Sequence, residues 1–463
     1  MSATRLSPRK FWLILGDAAK IYGGVVLAMY LRLGLAGSEN ELNAKNGWLK
    51  ISLATFVCLL SLYFYDVYDY VVMTNRRELL LRLVQALGIA WVVLAIIFYL
   101  APPAMIGRGV SVISVPLVLV LLLGWRVAIH SLTGHPEIGE KILVVGTGQT
   151  ALDTAEAVWE RRDAGYRIVG FISEHDAKPR KKLGLSVILG TIHELEDVIR
   201  NEKIGRVVIA VRERRRAFPT EALLKMSLAG DISIEECTSF FERITGKVHL
   251  EMLRPSWLIF AGRRRETRLK ILLRAFVHRL LASIGLFILC PVAIIMALVI
   301  KLESPGPVFY KQERVGMNGH IFSVIKFRSM RADAEFDGKP VWAVDNDLRT
   351  TRVGKFIRKI RIDEIPQFWN IIKGDMNFVG PRPERPHFVN QLATEISYYE
   401  HRHLVAPGLT GWAQIKYPYG ASVADARQKL QYDLYYIKNQ SLTLDLVIIF
   451  ETVKTVLFGN GGR

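Results

Sequence analysis

Four apolar runs crowd the first third of the chain, at 11–33, 48–65, 83–100 and 110–129. Each is near the ~20 residues that a helix needs to cross the hydrocarbon of a bilayer. These runs constrain everything else, because so much unbroken apolar chain demands a membrane. The whole chain is 51% hydrophobic, yet 22% of its 463 residues are charged. That is too apolar for an ordinary soluble enzyme and too charged for spans alone. The expectation is a mixed membrane protein. It comprises a four-helix transmembrane bundle over 1–135, a Rossmann-like α/β domain over 140–250, and a C-terminal α/β catalytic domain over 265–463.

Charge placement orients the spans. Arg5, Arg9 and Lys10 precede the first run, and Arg76, Arg77 and Arg82 lie between the second and third. The segments 35–46 and 101–108 carry little positive charge. Positive residues stay inside, so the N-terminus is expected in the cytoplasm and an even number of spans returns the chain there. No small-residue cleavage site follows the first run, which reads as an uncleaved anchor. Asp17 and Lys20, one turn apart inside that run, read either as functional or as a mutual pair near the interface. The net charge of +18 points first to anionic lipid and then to phosphate-bearing substrates. Nucleic acid is not expected, since zinc spacing, RNP signature and basic heptads are all missing. Cys58, Cys237 and Cys290 are isolated and suggest no disulfide framework.

The segment from Lys141 begins with a buried-strand pattern and continues into Gly146-x-Gly148-x-x-Ala151 and a helical pattern. Strand patterns recur at 167–172, 187–189, 206–211 and 232–236, with helical stretches between several of them. This is the rhythm of a small doubly wound domain. Gly146 and Gly148 have two readings: a nucleotide-binding loop, or a tight turn kept for packing in a regulatory or dimerising domain. Glu174 stands where an acidic ribose ligand would sit, although beside His175 and Asp176 it also reads as a turn.

Residues 262–279 mix cations with apolar positions at helical spacing, as in a helix lying on an anionic membrane face. The apolar run 280–300 follows. A full span would carry the many later Lys and Arg outside, against the positive-inside rule. Pro291 at its centre removes a backbone hydrogen bond. A helix that enters, breaks at Cys290-Pro291 and returns to the same face answers both points; a kinked full span is the rival.

Beyond residue 301 the chain is dense in phosphate-competent features. Lys326-Phe-Arg328-Ser-Met alternates basic and apolar positions on a strand pattern. Lys355, Arg358, Lys359 and Arg361 precede the adjacent carboxylates Asp363-Glu364. Ile365, Phe368, Trp369 and Ile372 fall on one helical face, Pro366 suits a first turn, and Lys373-Gly374 suits a stop. The dyad is therefore expected at a helix N-terminus, where negative charge is favoured. It reads there either as a cap or as an ionised nucleophile and metal ligand. Gly380-Pro-Arg382-Pro holds an arginine between two prolines, a stiff mount for a phosphate-binding fork. The run from Pro407 to Gln414 is a second rigid, aromatic-bearing loop. His401 and His403 lack the spacing of a metal site. The stretch 432–457 is apolar-aromatic with helical spacing.

These motifs together resemble the bacterial sugar transferases, the polyprenyl-phosphate hexose-1-phosphate transferases or monotopic phosphoglycosyl transferases. The resemblance rests on Lys326-Phe-Arg-Ser-Met, Asp363-Glu-Ile-Pro-Gln, Gly374-Asp-Met, Gly380-Pro-Arg-Pro, Pro407-Gly-Leu-Thr-Gly-Trp-Ala-Gln and Tyr432-Asp-Leu-Tyr-Tyr-Ile-Lys. It covers about 270–463, and the preceding spans and Rossmann-like domain are similar to the large members. Tyr419-Gly-Ala-Ser422 is similar to the exopolysaccharide branch associated with the PEP-CTERM system.

The resemblance implies transfer of a sugar-1-phosphate from a UDP-sugar to undecaprenyl phosphate, at the cytoplasmic face of the bacterial inner membrane. It implies Asp363 as nucleophile, Glu364 as a ligand of Mg²⁺, and Lys326, Arg328, Arg358 and Arg382 as phosphate-binding or site-shaping groups. It also implies a re-entrant helix broken at Ser-Pro, with Cys290 standing here in the serine position. A homodimer through 140–250 is compatible with this plan. The enzymatic rival, a membrane-anchored nucleotide-sugar dehydratase or epimerase, needs a Tyr-x-x-x-Lys that the sequence lacks. A scaffold or regulator of polysaccharide export would leave the dyad and the arginine turn without a purpose.

Overall fold

Long helices stand where the sequence places its spans. The computed structural model describes residues 8–44, 46–68, 72–73, 76–133, 140–161, 164–174, 182–184, 186–211, 220–230, 232–253, 267–331, 349–417, 420 and 422–457. Arg5, His175, Asp176, Tyr419, Ala421 and 262–266 lie outside them. The chain divides into two units, Arg5–Cys237 and Thr238–Arg463.

In the first unit, α1 (Pro8–Ala44), α2 (Gly47–Phe64), α3 (Arg76–Leu100) and α4 (Arg108–Thr133) share one apolar core around Ile21, Met29, Leu62, Leu83 and Leu122. The segment expected as a linker after the first run is helical; only Gly34, at φ 69°, interrupts it. Glycine alone enters that region without a Cβ penalty. Gly24 lets α4 approach α1, since a Cβ there would stand 2.8 Å from Val118 Cγ2. Asp17 does not pair with Lys20. Its Oδ2 accepts from Arg126 Nη2 of α4 at 2.6 Å, while Lys20 Nζ lies 5.4 Å from the Trp125 ring centroid. A charge inside an apolar core needs a near, rigid partner, and the guanidinium across the helix pair supplies one.

The α/β part follows as β1 (Glu140–Val145), α5 (Gln149–Glu160), β2 (Tyr166–Ser173), β3 (Lys182–Leu183), β4 (Ser186–Thr191), α6 (Leu195–Glu202), β5 (Arg206–Ile209), α7 (Thr220–Leu228) and β6 (Ser233–Glu236). The sheet order is β3-β4-β2-β1-β5-β6, parallel except for the short edge strand β3. The parallel strands read in sequence are all present. β1 lies at the centre with four of its residues fully buried, as expected for an apolar run covered on both faces.

The second unit starts earlier than the C-terminal boundary read from sequence. After α8 (Cys237–Thr245), the Val248 N–H donates to Gln431 O at 3.0 Å and Gly246 O accepts from Trp412 Nε1 at 2.7 Å. Next comes α9 (Arg268–Glu303), 36 residues long. Helicity continues through Cys290-Pro291, so the expected interruption is not a break in secondary structure. The proline costs one rung of the ladder, and packing holds the helix on both sides of it. Ala282, Leu286 and Leu289 pack against Phe368 and Ile371, and Ala293, Met296, Ala297 and Ile300 against Phe327, Ile357 and Ile365. The opposite face is bare, with Phe287 82% and Leu298 61% exposed. Among the described residues five helices are long and apolar enough to cross a membrane, α9 being the fifth.

The remaining elements carry the site. They are the antiparallel hairpin β7 (Phe309–Val315) and β8 (Ile321–Phe327), then α10 (Arg352–Lys359), a 3₁₀ turn (Ile362–Glu364), α11 (Gln367–Lys373) and β9 (Asn377–Val379). After them come α12 (Pro386–Glu395), a 3₁₀ segment (Tyr399–Leu404), β10 (Gly408–Thr410), α13 (Trp412–Lys416), α14 (Val423–Asn439) and α15 (Leu442–Leu457). β9 and β10 pair in parallel, and Gly380 and Gly408 permit their approach, because a Cβ on either would strike the other's backbone. Buried His278 ties α9 to this layer. Its Nδ1 accepts from the Phe378 N–H at 3.2 Å, so its proton rests on Nε2, 3.1 Å from Asp445 Oδ2.

Candidate active site

The dyad lies in the 3₁₀ turn, not on the first turn of a longer helix. Arg361, at φ 55°, bends the chain sharply out of α10 just before it. A non-glycine residue held there costs about 1–3 kcal/mol, and the bend aims both carboxylates inward. Asp363 and Glu364 are both buried. The helical face is also set differently: Phe368 and Ile371 are buried and Trp369 is exposed, because α11 is only two turns long and seats against α9.

Glu364 collects the cations. Its Oε1 accepts from Arg382 Nη2 at 2.8 Å and from Lys326 Nζ at 3.3 Å, and its Oε2 lies 3.6 Å from Arg361 Nη1. Burial alone would raise its pKa, but Arg382, Lys326 and Arg361 outweigh it and hold the carboxyl well below the usual range. Asp363 is treated differently. Burial pushes its pKa up and the Glu364 charge adds to that, against the pull of Lys326, Arg382 and Arg358. No hydrogen bond or ion pair reaches its carboxylate among the described residues. Burial lowers the Lys326 pKa, with the Glu364 charge opposing.

Each group is mounted from a separate element. Lys326 comes from β8, whose open edge is fastened to α11 by Asn370: Oδ1 accepts from the Ile325 N–H at 3.1 Å and Nδ2 donates to Ser323 O at 2.8 Å. Arg358 ends α10 and donates to Thr350 Oγ1 at 3.3 Å. Arg382 follows β9. Arg328 is not brought to the carboxylates. Its guanidinium is spent on the C-terminal end of α9, donating to Pro305 O, Ser304 O and Ser304 Oγ at 2.8–2.9 Å. The hairpin pairing runs on to Arg328, whose N–H donates to Val308 O at 2.9 Å, and it is the oxygens at the end of α9 that draw the guanidinium away from the carboxylates.

Asn370 and Arg361 are the site's quieter members; Arg361 was visible as part of the basic run, and Asn370 had no signal. His403 is held neutral, burial and Arg402 lowering its pKa to about 4. No cluster of three or more His, Cys, Asp or Glu able to hold a metal occurs among the described residues. In the α/β domain Gly146 takes φ 120° and Gly148 precedes α5, with nothing within 4 Å of a Cβ built on it.

Known families and proteins match parts of this sequence. The family model for bacterial sugar transferases matches residues 269–459, and the model for a CoA-binding domain matches 63–217. The exopolysaccharide production protein PSS of Rhizobium leguminosarum bv. phaseoli is 41% identical over 181 residues, 37% of this chain and 89% of that protein. This chain belongs to the bacterial sugar transferase family.

Two further members of that sugar transferase family resemble more of the chain. The UDP-N-acetylgalactosamine-undecaprenyl-phosphate N-acetylgalactosaminephosphotransferase of Aeromonas hydrophila is 42% identical over 257 residues, 56% of this chain and 60% of the relative. The UDP-glucose:undecaprenyl-phosphate glucose-1-phosphate transferase of Xanthomonas campestris pv. campestris is 31% identical over 330 residues, 69% of this chain and 66% of the relative. The chain thus spans about three fifths to two thirds of these two relatives.

Proposed function

We propose that this bacterial sugar transferase moves a hexose-1-phosphate from a UDP-sugar to undecaprenyl phosphate, priming exopolysaccharide synthesis. The observation that carries the reading is the asymmetry of the dyad. Glu364 is held by three cations, while Asp363 keeps a carboxylate with no direct partner among the described residues, beside groups suited to phosphate.

An Asp363 oxygen attacks the phosphorus that bears the sugar, and the bond to the UMP oxygen breaks with its electron pair leaving on UMP. A phosphate oxygen of undecaprenyl phosphate then attacks the same phosphorus. The Asp363 carboxylate departs, and a lipid diphosphate sugar results. Two steps through a covalent intermediate keep the two anionic substrates from having to meet directly. Lys326, Arg358 and Arg382 offset the charge that gathers at phosphorus. Mg²⁺ binds through one or two carboxylates plus substrate phosphates; Glu364 would hold it by exchanging one of its contacts with Lys326, Arg361 or Arg382, and the ion would neutralise the diphosphate.

In this reading α9 enters the membrane from the cytoplasm and returns to the same face. What supports it is that both halves of α9, before and after Pro291, pack on the same C-terminal unit. The face of α9 that carries Ala282, Ala293, Ala297 and Ile300 is turned to that unit and not to lipid, unlike a span that is apolar and lipid-exposed all round.

The relatives' names differ in the sugar, N-acetylgalactosamine in one and glucose in another. The test is UMP release by membranes bearing the chain, supplied with undecaprenyl phosphate and each UDP-sugar in turn. One sugar should release UMP with Mg²⁺ and stop on chelation; release of no UMP from any of them contradicts the reading.

A further inference from the structure

Arg382 reaches Glu364 from a turn whose backbone is itself gripped by guanidiniums. Arg402 Nη2 donates to Arg382 O at 2.9 Å, and Arg314 Nη1 donates to Pro383 O at 3.0 Å. Arg402 is buried in the 3₁₀ segment and never approaches the carboxylates. Its Nη1 donates to Tyr399 Oη at 2.7 Å, and its Nη2 lies 3.0 Å from Oδ2 of Asp433, which is buried in α14. That carboxylate oxygen makes no aligned hydrogen bond. A buried ion pair so incompletely satisfied is a poor source of stability, because desolvation consumes most of its attraction. Nothing in the proposed chemistry uses it directly, so its position calls for another explanation.

We propose that Arg402 and Asp433 are a positioning pair for Arg382, an assignment that rests on the phosphate-transfer reading of the site. Asp433 fixes the Arg402 fork, Arg402 fixes the Arg382 carbonyl, and the stiff Gly380-Pro-Arg-Pro turn carries that register to the guanidinium on Glu364. Lysine cannot replace Arg402, because one ammonium does not reach the Arg382 carbonyl, Tyr399 Oη and Asp433 together. The charge environment agrees with the geometry. Burial raises the Asp433 carboxyl to about 6, opposed by Arg402 and by Lys429 of α14, with Glu384 adding to the rise. Its ionised state at neutral pH thus leans on Arg402.

A double-mutant cycle on the full-length chain in membranes separates positioning from bulk packing. Asp433→Asn should lower kcat/KM for UMP release about 100-fold, the scale of a misplaced catalytic group. In an Arg382→Ala background the same change should cost less than about threefold, since the group it positions is gone. Tyr399→Phe, which removes only the hydroxyl that accepts from Arg402, gives the second cycle should Asp433→Asn fail to accumulate. Non-additive losses in the cycle are the expected result. Full additivity, in which either change costs as much without Arg382 as with it, overturns the positioning role and leaves the transferase reading intact. Wild-type membranes that release no UMP from any UDP-sugar overturn that reading and this inference together.

Discussion

Asp363 and Glu364 are neighbours in the chain, yet the fold gives them opposite charge environments. The cations go to Glu364, and burial with a like charge alongside goes to Asp363. The sign of the pH response follows. The proposed nucleophile, Asp363, must be ionised, and its pKa is raised, so turnover is expected to be lost as pH falls through that raised value. Glu364 is depressed, so its hold on Lys326 and Arg382 persists until far lower pH. On acidification kcat/KM should therefore fall about tenfold per pH unit, while the thermal unfolding midpoint does not fall with it, because a buried carboxyl with a raised pKa takes up its proton more readily in the folded chain. Parallel loss of both would place the titration in the fold instead. That Lys326, Arg358 and Arg382 belong with the dyad was legible only through the separate motifs that carry them, Lys326-Phe-Arg-Ser-Met, the basic run before Asp363 and Gly380-Pro-Arg-Pro, and their roles are part of the proposal. Arg328 was read as a phosphate-binding or site-shaping group, and its contacts with Ser304 and Pro305 at the end of α9 had no signal in the sequence. Asn370 and Arg402 were invisible, since their roles arise from contacts with segments distant in the chain.

At the scale of the element, α9 decides the topology. Its amphipathic start, apolar run and central proline could all be read from sequence, and so could the conflict with the positive-inside rule. Its continuity through Pro291 could not, because that depends on which face finds a partner. One position of the helix that follows the dyad was misread for the same reason, since Ile365, Phe368 and Ile372 do pack inward. Four apolar positions fit one face, but contact with α9 selects Phe368 and Ile371 and leaves Trp369 outside. With the exposed Cys290 replaced by serine, a cysteine at exposed Glu395 of α12 should react with a membrane-impermeant maleimide only after the cytoplasmic face is opened. Labelling of intact cells would mean that α9 crosses the bilayer.

At the scale of the whole molecule, two kinds of periodicity made the layout readable: spans of about 20 apolar residues and the strand–helix rhythm of a parallel sheet. The junction between units was not readable, because the chain just after β6 looks like one more helix of the α/β domain. Its partners are Gln431, Lys438 and Trp412 of the C-terminal unit, with Lys438 Nζ 2.7 Å from Glu242 Oε2. Residues 238–463 should therefore keep UMP release when expressed without the first unit. A version starting at 267 loses those contacts, including an anchor for buried Trp412, and should lose about 1–3 kcal/mol for that orphaned donor alone. Equal stability of the two truncations, compared by thermal unfolding in detergent, would contradict the boundary.

The central claim, that Asp363 carries the sugar phosphate, is tested most directly by the mass of the protein after UDP-sugar is added without lipid acceptor. Wild type should gain one hexose-phosphate, localised to the peptide containing Asp363, while Asp363→Asn gains nothing and releases no UMP. UMP release at the wild-type rate by Asp363→Asn would contradict the account.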